Sequence, residues 1–301
     1  MTESIKAVVL PDRTLVAISG TDRVKFLQGL MTNDIRRLTP DRALYTGFLT
    51  GQGKLLCDAF VMLDGDRILI DIATTFVEDF VKRLSAFKLR EAVGIGETAP
   101  ALAIAAVWGT GATARLELDS AESVVRDGAL AEAHYAFVDP RIAALGARLV
   151  YSTDFPIEAK LARLGFASAT VADYAEHRLA LGIADTAEIG SEVCYPLEAN
   201  LEMLHGVDFR KGCYVGQELT ARMKLRGELR KRILPVSGSA PLPTAGTPVT
   251  ADGTTLGPLI AASGTRGLAL LRLDRLAGAR EEAIRAQDVQ LSIHWPSWLP
   301  R

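Results

Sequence analysis

The chain has 301 residues, 49% apolar and 23% charged, an ordinary globular composition long enough to bury a large core in two or three units. Its three cysteines, at 57, 194 and 213, make no C-x-x-C and no zinc- or cluster-binding spacing, and so sparse a set fits a reducing cytosol and not a disulfide framework. Met1 to Leu10 lacks a long apolar core and the run from Ala99 to Trp108 is too short to span a bilayer, so a cytoplasmic protein with no membrane partner is expected.

In chain order, Arg13 to Ser19 alternates apolar residues and predicts a strand. Gly20-Thr21-Asp22 opens a helix with Val24, Leu27, Leu30 and Met31 on one face. Phe60 to Leu63 and Arg67 to Ile72 are apolar runs joined through Asp64-Gly65, a hairpin signal. Thr75 with Glu78 predicts a capping box, opening a helix in which Phe76, Phe80, Leu84 and Phe87 repeat at helical spacing. A strand-rich stretch follows from Ala101 to about Leu118, and another strand from Arg148 to Tyr151. A further helix starts after Thr170 and stops at Gly182. From Ile233 onward, short β-prone runs are separated by Pro241, Pro243, Gly246, Asp252-Gly253, Gly257-Pro258 and Gly264, the texture of a small barrel. The predicted class is α+β, with residues 1–232 as two interleaved subdomains and 233–301 as a C-terminal β-barrel.

Several apparent motifs carry little chemistry. Thr50-Gly51-Gln52-Gly53-Lys54 lacks the spacing of a phosphate loop, and Gly109-Thr110-Gly111 does not continue to a third glycine, so both read as turns. The histidines at 134, 177, 205 and 294 are scattered, and His205 reads as a surface or core residue before it reads as a base for Cys213. Charge is unevenly placed. Arg210 to Arg232 holds eight Lys/Arg against two Glu, a local +6 inside a chain of net charge −2. Such a segment attracts anionic ligands, RNA phosphates or an acidic partner, and an ordinary solvated helix face accounts for it equally well.

Two carboxylates stand among apolar neighbours: Asp58 in Leu55-Leu56-Cys57-Asp58-Ala59-Phe60, and Glu198 in Pro196-Leu197-Glu198-Ala199. Burying either unpaired is too costly, so each must meet a hydrogen-bond donor, in a turn, an arginine or a ligand. The densest signal is Lys211-Gly212-Cys213-Tyr214-Val215-Gly216-Gln217-Glu218. Its glycines allow a tight turn, a helix is expected to begin near Gln217, and a neighbouring Lys211 and a helix start would both lower the thiol pKa of Cys213. A small buried cysteine in a glycine-rich turn is the alternative.

This segment, with Pro196 to Asn200 before it and Arg222, Arg226 and Lys231-Arg232 after it, resembles the YgfZ family of folate-binding proteins linked to iron–sulfur cluster maintenance. That family is related to the glycine-cleavage aminomethyltransferase, the T-protein. Weaker support comes from Phe26-Leu27-Gln28-Gly29, Thr32-Asn33-Asp34, Gly53 to Asp58 and Arg178 to Gly182. The resemblance implies a T-protein-like ring of three domains around a folate site, with tetrahydrofolate or a one-carbon derivative as cofactor. Asp58, Glu198, Lys231 and Arg232 match folate-contacting positions, with Asp58 near the reactive nitrogen. Cys213 is the chemically active residue, able to lend one ligand to a shared cluster. Implied partners are iron–sulfur client enzymes or assembly proteins, among them enzymes of tRNA modification, with no DNA. Two departures matter: Ala180 stands where T-proteins carry a carboxylate, and Cys213 stands where they have none. Both argue against the second reading, a folate-dependent aminomethyl or methyl transferase using Asp58 as acid–base residue. A third reading, RNA binding through Arg210 to Arg232, lacks the aromatic platform such grooves carry.

Overall fold

A computed structural model describes residues 4–97, 101–118, 124–125, 135–227 and 229–300. His134, Glu228 and the first two residues of the apolar run at 99–108 lie outside the described residues. The chain divides into two compact units, neither of them continuous: Met1–Leu49, Cys57–Tyr174 and Leu204–Val215 in the first, and Thr50–Leu56, Ala175–Met203 and Gly216–Arg301 in the second. Among the described residues no helix is long and apolar enough to cross a membrane.

The first unit contains two sheets. One runs in the order Leu44–Leu49, Leu55–Asp64, Arg67–Ala73, Arg13–Ser19, Gly94–Glu97. Arg13–Ser19 forms the strand its alternation predicts, and Asp64 pairs with Arg67, leaving Gly65-Asp66 as the two-residue turn. Helices Arg23–Gln28 and Val77–Phe87 cover one face, burying Phe26, Leu27, Phe80 and Leu84 against Val16, Ile18 and Ile70. The expected capping box at Thr75 does not form. Thr74–Phe76 is a 3₁₀ turn, and its entry is fixed by Asp12, whose carbonyl accepts the Thr74 N–H, and by the Thr14–Thr74 hydroxyl pair at 2.8 Å. Phe87, placed on the apolar stripe by its spacing, is 46% exposed instead.

The other sheet runs Ala167–Ser168, Lys6–Val9, Leu102–Trp108, Ala147–Ser152, Tyr135–Val138, Val124–Val125. The stretch expected to be strand-rich to Leu118 is strand only to Trp108, and Ala112–Arg115 is helical. A buried ion cluster joins the two sheets: Asp71 accepts from Arg13 Nε at 2.7 Å with one oxygen and from Arg148 Nη2 at 2.8 Å with the other. The Arg148 guanidinium also lies 4.1 Å from the Phe60 ring. Each charge in this cluster is nearly sealed from water, so the pairing is what makes its burial tolerable.

The chain passes into the second unit along helix Val171–Ala180. Thr170 and Asp173 cap its start reciprocally, and Gly182, at φ +76°, ends it as predicted. The second unit holds a closed barrel in the order Lys231–Gly238, Arg266–Arg272, Thr254–Ser263, Pro248–Ala251, Arg285–Ala286, Val289–Ile293. Leu234, Val249, Leu259, Leu271 and Leu291 fill it. Ala251 pairs with Thr254 around Asp252-Gly253, both at positive φ, the hairpin those residues signal.

Candidate functional site

Helix Arg23–Gln28 is short, and its C-terminal carbonyls need donors from elsewhere. Lys211 supplies them: Nζ donates to Gln28 O at 2.7 Å and to Met31 O. The third face of the ammonium lies 4.7 Å from the Tyr214 ring. Four residues on, Val215 N–H donates to Gly29 O at 3.0 Å, and its side chain packs against the core of the first unit. Between these anchors the burial pattern is in, out, out, in: Lys211 and Tyr214 are buried, Gly212 and Cys213 exposed. The thiol therefore stands in solvent on a loop fixed on both sides.

The same segment is held from its other end by Thr32 and Asn33. Thr32 donates through Oγ1 to Gly206 O at 2.6 Å and accepts Asp208 N–H with its carbonyl, and Asn33 Nδ2 donates to Tyr45 O and His205 O at 2.8 Å each. Thr32 and Asn33 thus order the approach to the cysteine. His205 is exposed and adopts φ +60°.

Lys211 commits its ammonium to carbonyls and an aromatic face, and burial pulls its pKa down to about 8. One expectation for this segment is corrected. Gly212 has ordinary φ and open space where a Cβ would be, so it is not required by its backbone. Gly216, by contrast, adopts φ +78° at the N-cap of helix Gln217–Arg226, whose start was predicted at this residue. Glu218 in the first turn pairs with Arg222 at 2.8 Å on the helix surface.

The other two cysteines are interior. Cys57 is 2% exposed and burial raises its pKa steeply; Cys194 is 0% exposed and burial, followed by the Glu198 charge, pushes it up to about 12. Among the described residues no group of three or more His, Cys, Asp or Glu could hold a metal ion.

Asp58 is 3% exposed on the strand Leu55–Asp64 and accepts the Tyr45 hydroxyl at 2.9 Å. Tyr45, unmarked by any motif, lies with its ring centroid 5.4 Å from that of Phe60 and tilted by 42°. Asp58, Lys211, Gly212, Cys213 and Tyr214 all belong to the first unit.

In the second unit, Glu198 is buried and accepts Tyr195 N–H at 2.9 Å with one carboxylate oxygen, the turn-capping role open to it from sequence. Its carbonyl accepts Ile233 N–H, and Asn200 Nδ2 donates to Ile233 O, so Pro196 to Asn200 is clamped to the first barrel strand. This brings Glu198 beside Lys231-Arg232 at the start of that strand. Lys231 is exposed; Arg232 is half-buried, burial lowers its pKa, and its Nε has no hydrogen-bond partner among the described residues. Arg232 lines a cleft of about 810 Å³ with Arg230, Arg272, Leu273 and Trp295. At the departure from the T-protein pattern, Arg178 pairs with Glu188 at 2.6 Å and Ala180 is exposed.

The fold and barrel define the class. Over 99% of this chain the structure superimposes on glycine cleavage system aminomethyltransferase T from Bartonella henselae, covering 87% of that chain with a TM-score of 0.78 at 13% identity, which establishes a shared fold. Residues 230–301 match the family described as CAF17, C-terminal beta-barrel domain. The chain is 34% identical over 313 residues to the mitochondrial iron-sulfur cluster assembly factor IBA57 of Homo sapiens, covering 97% of this chain and 84% of that one. It is 33% identical over 296 residues to the mitochondrial IBA57 homolog of Mycosarcoma maydis, covering 93% and 68%. The chain belongs to the IBA57 family, a narrower assignment than the YgfZ resemblance drawn from the motif.

Proposed function

We propose that this protein is a folate-binding accessory factor that acts in the cytoplasm in the assembly or repair of [4Fe–4S] proteins, including enzymes of tRNA modification. The observation that carries the reading is the exposed Cys213 on a loop fixed by Lys211 and Val215, in a chain whose relatives are iron–sulfur cluster assembly factors. A single thiolate completes no cluster, so Cys213 contributes one ligand while partner proteins, client enzymes or assembly factors, hold the rest. The cluster is cargo.

Folate binding is supported by chemistry on the second unit. The orphan Nε of Arg232, with Arg230 and Arg272 around the same cleft, is a donor set suited to the carboxylates of a folate tail, although Arg272 also pairs with Asp274 at 2.6 Å. Glu198 keeps a carboxylate oxygen beyond the one engaged by Tyr195, able to accept pterin N–H donors. Asp58 enters on the family resemblance alone. The absent carboxylate at Ala180 predicts weaker pterin binding than in an aminomethyltransferase.

The decisive experiment is complementation of a strain lacking this gene. Wild type should restore [4Fe–4S] enzyme activities and tRNA thiomethylation, and Cys213→Ser should not; full rescue by Cys213→Ser removes the thiol from the mechanism. Calorimetry with tetrahydrofolate separates the folate half: Glu198→Ala should weaken binding about ten- to hundredfold, the loss of one charge-assisted hydrogen bond. Unchanged affinity removes Glu198 from the site.

A further inference from the structure

Three large apolar side chains of the first unit stand in solvent around one junction: Val24 is 42% exposed, Phe87 46% and Leu89 85%. Single exposed apolar residues are unremarkable, but a group of them on a fixed frame marks a contact surface. The frame here is fixed twice. Glu91 folds back so that one carboxylate oxygen accepts the N–H groups of Leu89 and Arg90 at 3.1 Å each. Asp22, the residue before helix Arg23–Gln28, accepts Ala92 N–H at 2.7 Å through its side chain, while its own N–H donates to Ala92 O. The loop that displays Leu89 is thereby tied to the helix that displays Val24. A hydrogen-bonded loop holding a leucine outward is a built feature, unlike a leucine on a loose tail.

Exposed cations outnumber the carboxylates around this junction. Lys25, Lys88 and Arg90 are exposed, and the sequence Phe87-Lys88-Leu89-Arg90 alternates apolar and cationic side chains. The carboxylates beside them keep their charge but turn inward, Glu91 and Asp22 onto backbone N–H groups and Asp79 onto Arg83 at 2.5 Å, while the three cations face solvent. Outside the basic stretch at 210–232 the chain carries a net −8, so this cationic apolar patch contrasts with the rest of its surface. Self-association through a two-fold axis would set these cations against their own copies, which disfavours a second copy as occupant.

We propose that the junction of Val24, Phe87 and Leu89 is a docking surface for a partner protein whose contacting segment has an apolar centre and an acidic rim. Leu89 and Phe87 act as the anchors, and Lys25, Lys88 and Arg90 as the complementary rim. This goes beyond the function proposed above and does not depend on it, since neither folate nor Cys213 takes part.

The test uses the full-length protein and a synthetic amphipathic helix of glutamate and leucine as probe, followed by fluorescence anisotropy. The probe should bind saturably, and a version with serine for leucine should not. Leu89→Asp and the double substitution Lys88→Glu, Arg90→Glu should each weaken binding about tenfold or more. Val171→Ser, which alters an exposed apolar residue at the start of helix Val171–Ala180, away from both cationic segments in sequence, should change nothing. Leu89→Ser gives a second, milder variant, and circular dichroism checks that each remains folded. The proposal is overturned by absence of saturable binding or by equal sensitivity to Val171→Ser. It is also overturned if Leu89→Asp abolishes binding to phosphatidylserine vesicles while the peptide does not bind, or abolishes a dimer seen in sedimentation.

Discussion

Replacing Lys211 with methionine preserves the stem and deletes all three donors of its ammonium. Two of those donors serve Gln28 O and Met31 O, and the third faces the Tyr214 ring. Hydrogen bonds to charged groups contribute about 1.5–3 kcal/mol each. Part of the gross loss is returned because methionine has no charge to desolvate, leaving a net destabilisation of about 2–3 kcal/mol. The effect should be local first: exchange protection of the Val215 amide, which bonds Gly29 O, should fall with the denaturation midpoint. The pH dependence supplies a sharper test. Burial lowers the folded-state pKa to about 8 from the ordinary 10.5. Across that window the unfolded chain binds more protons, so this residue's contribution makes stability rise with pH from about 8 toward 10.5 and is constant below it. Lys211→Met should lack that rise. A midpoint shift below about 0.5 kcal/mol, with Val215 protection unchanged, would refute the idea that Lys211 pins the loop.

Alkylation of the native protein at neutral pH should label Cys213 well before Cys57 or Cys194, both buried with raised pKa, and peptide mass analysis showing either interior thiol first would contradict the site. Gly216→Ala should cost about 1–2 kcal/mol because alanine resists the left-handed region, whereas Gly212→Ala should be within about 0.5 kcal/mol of wild type; urea titration of the pair distinguishes them. Asp71→Ala should destabilise by about 3–5 kcal/mol by stranding two buried guanidinium groups, and a thermal midpoint near wild type would show that water reaches the cluster.

Local signals were readable and long-range ones were not. The strand at Arg13, the helix starts at Gln217 and after Thr170, and the Asp252-Gly253 hairpin follow from neighbours along the chain. Asp71 meets Arg13 and Arg148 across 58 and 77 residues, and no spacing rule reaches that far. Lys211 illustrates the cost of reasoning from adjacency. Its place beside Cys213 in sequence says nothing of the carbonyl of Met31, 180 residues away, that takes one of its hydrogen bonds. The box at Thr75 failed for the same reason, its turn being settled by Asp12 and Thr14. At the cysteine itself both flanking glycines read as free to take positive φ, and Gly216 alone of the two does.

Helix Arg23–Gln28 spans six residues, a rod of about 9 Å. The junction around Leu89 is tied to its first residues, and the loop of Cys213 is bonded at its far end. A standard protein–protein footprint of about 800 Å² per side has a radius of about 16 Å, longer than the rod. A folded partner seated on Leu89 and reaching along the helix to its far end would cover the thiol, and its arrival would then be visible as protection of Cys213 from an alkylating reagent.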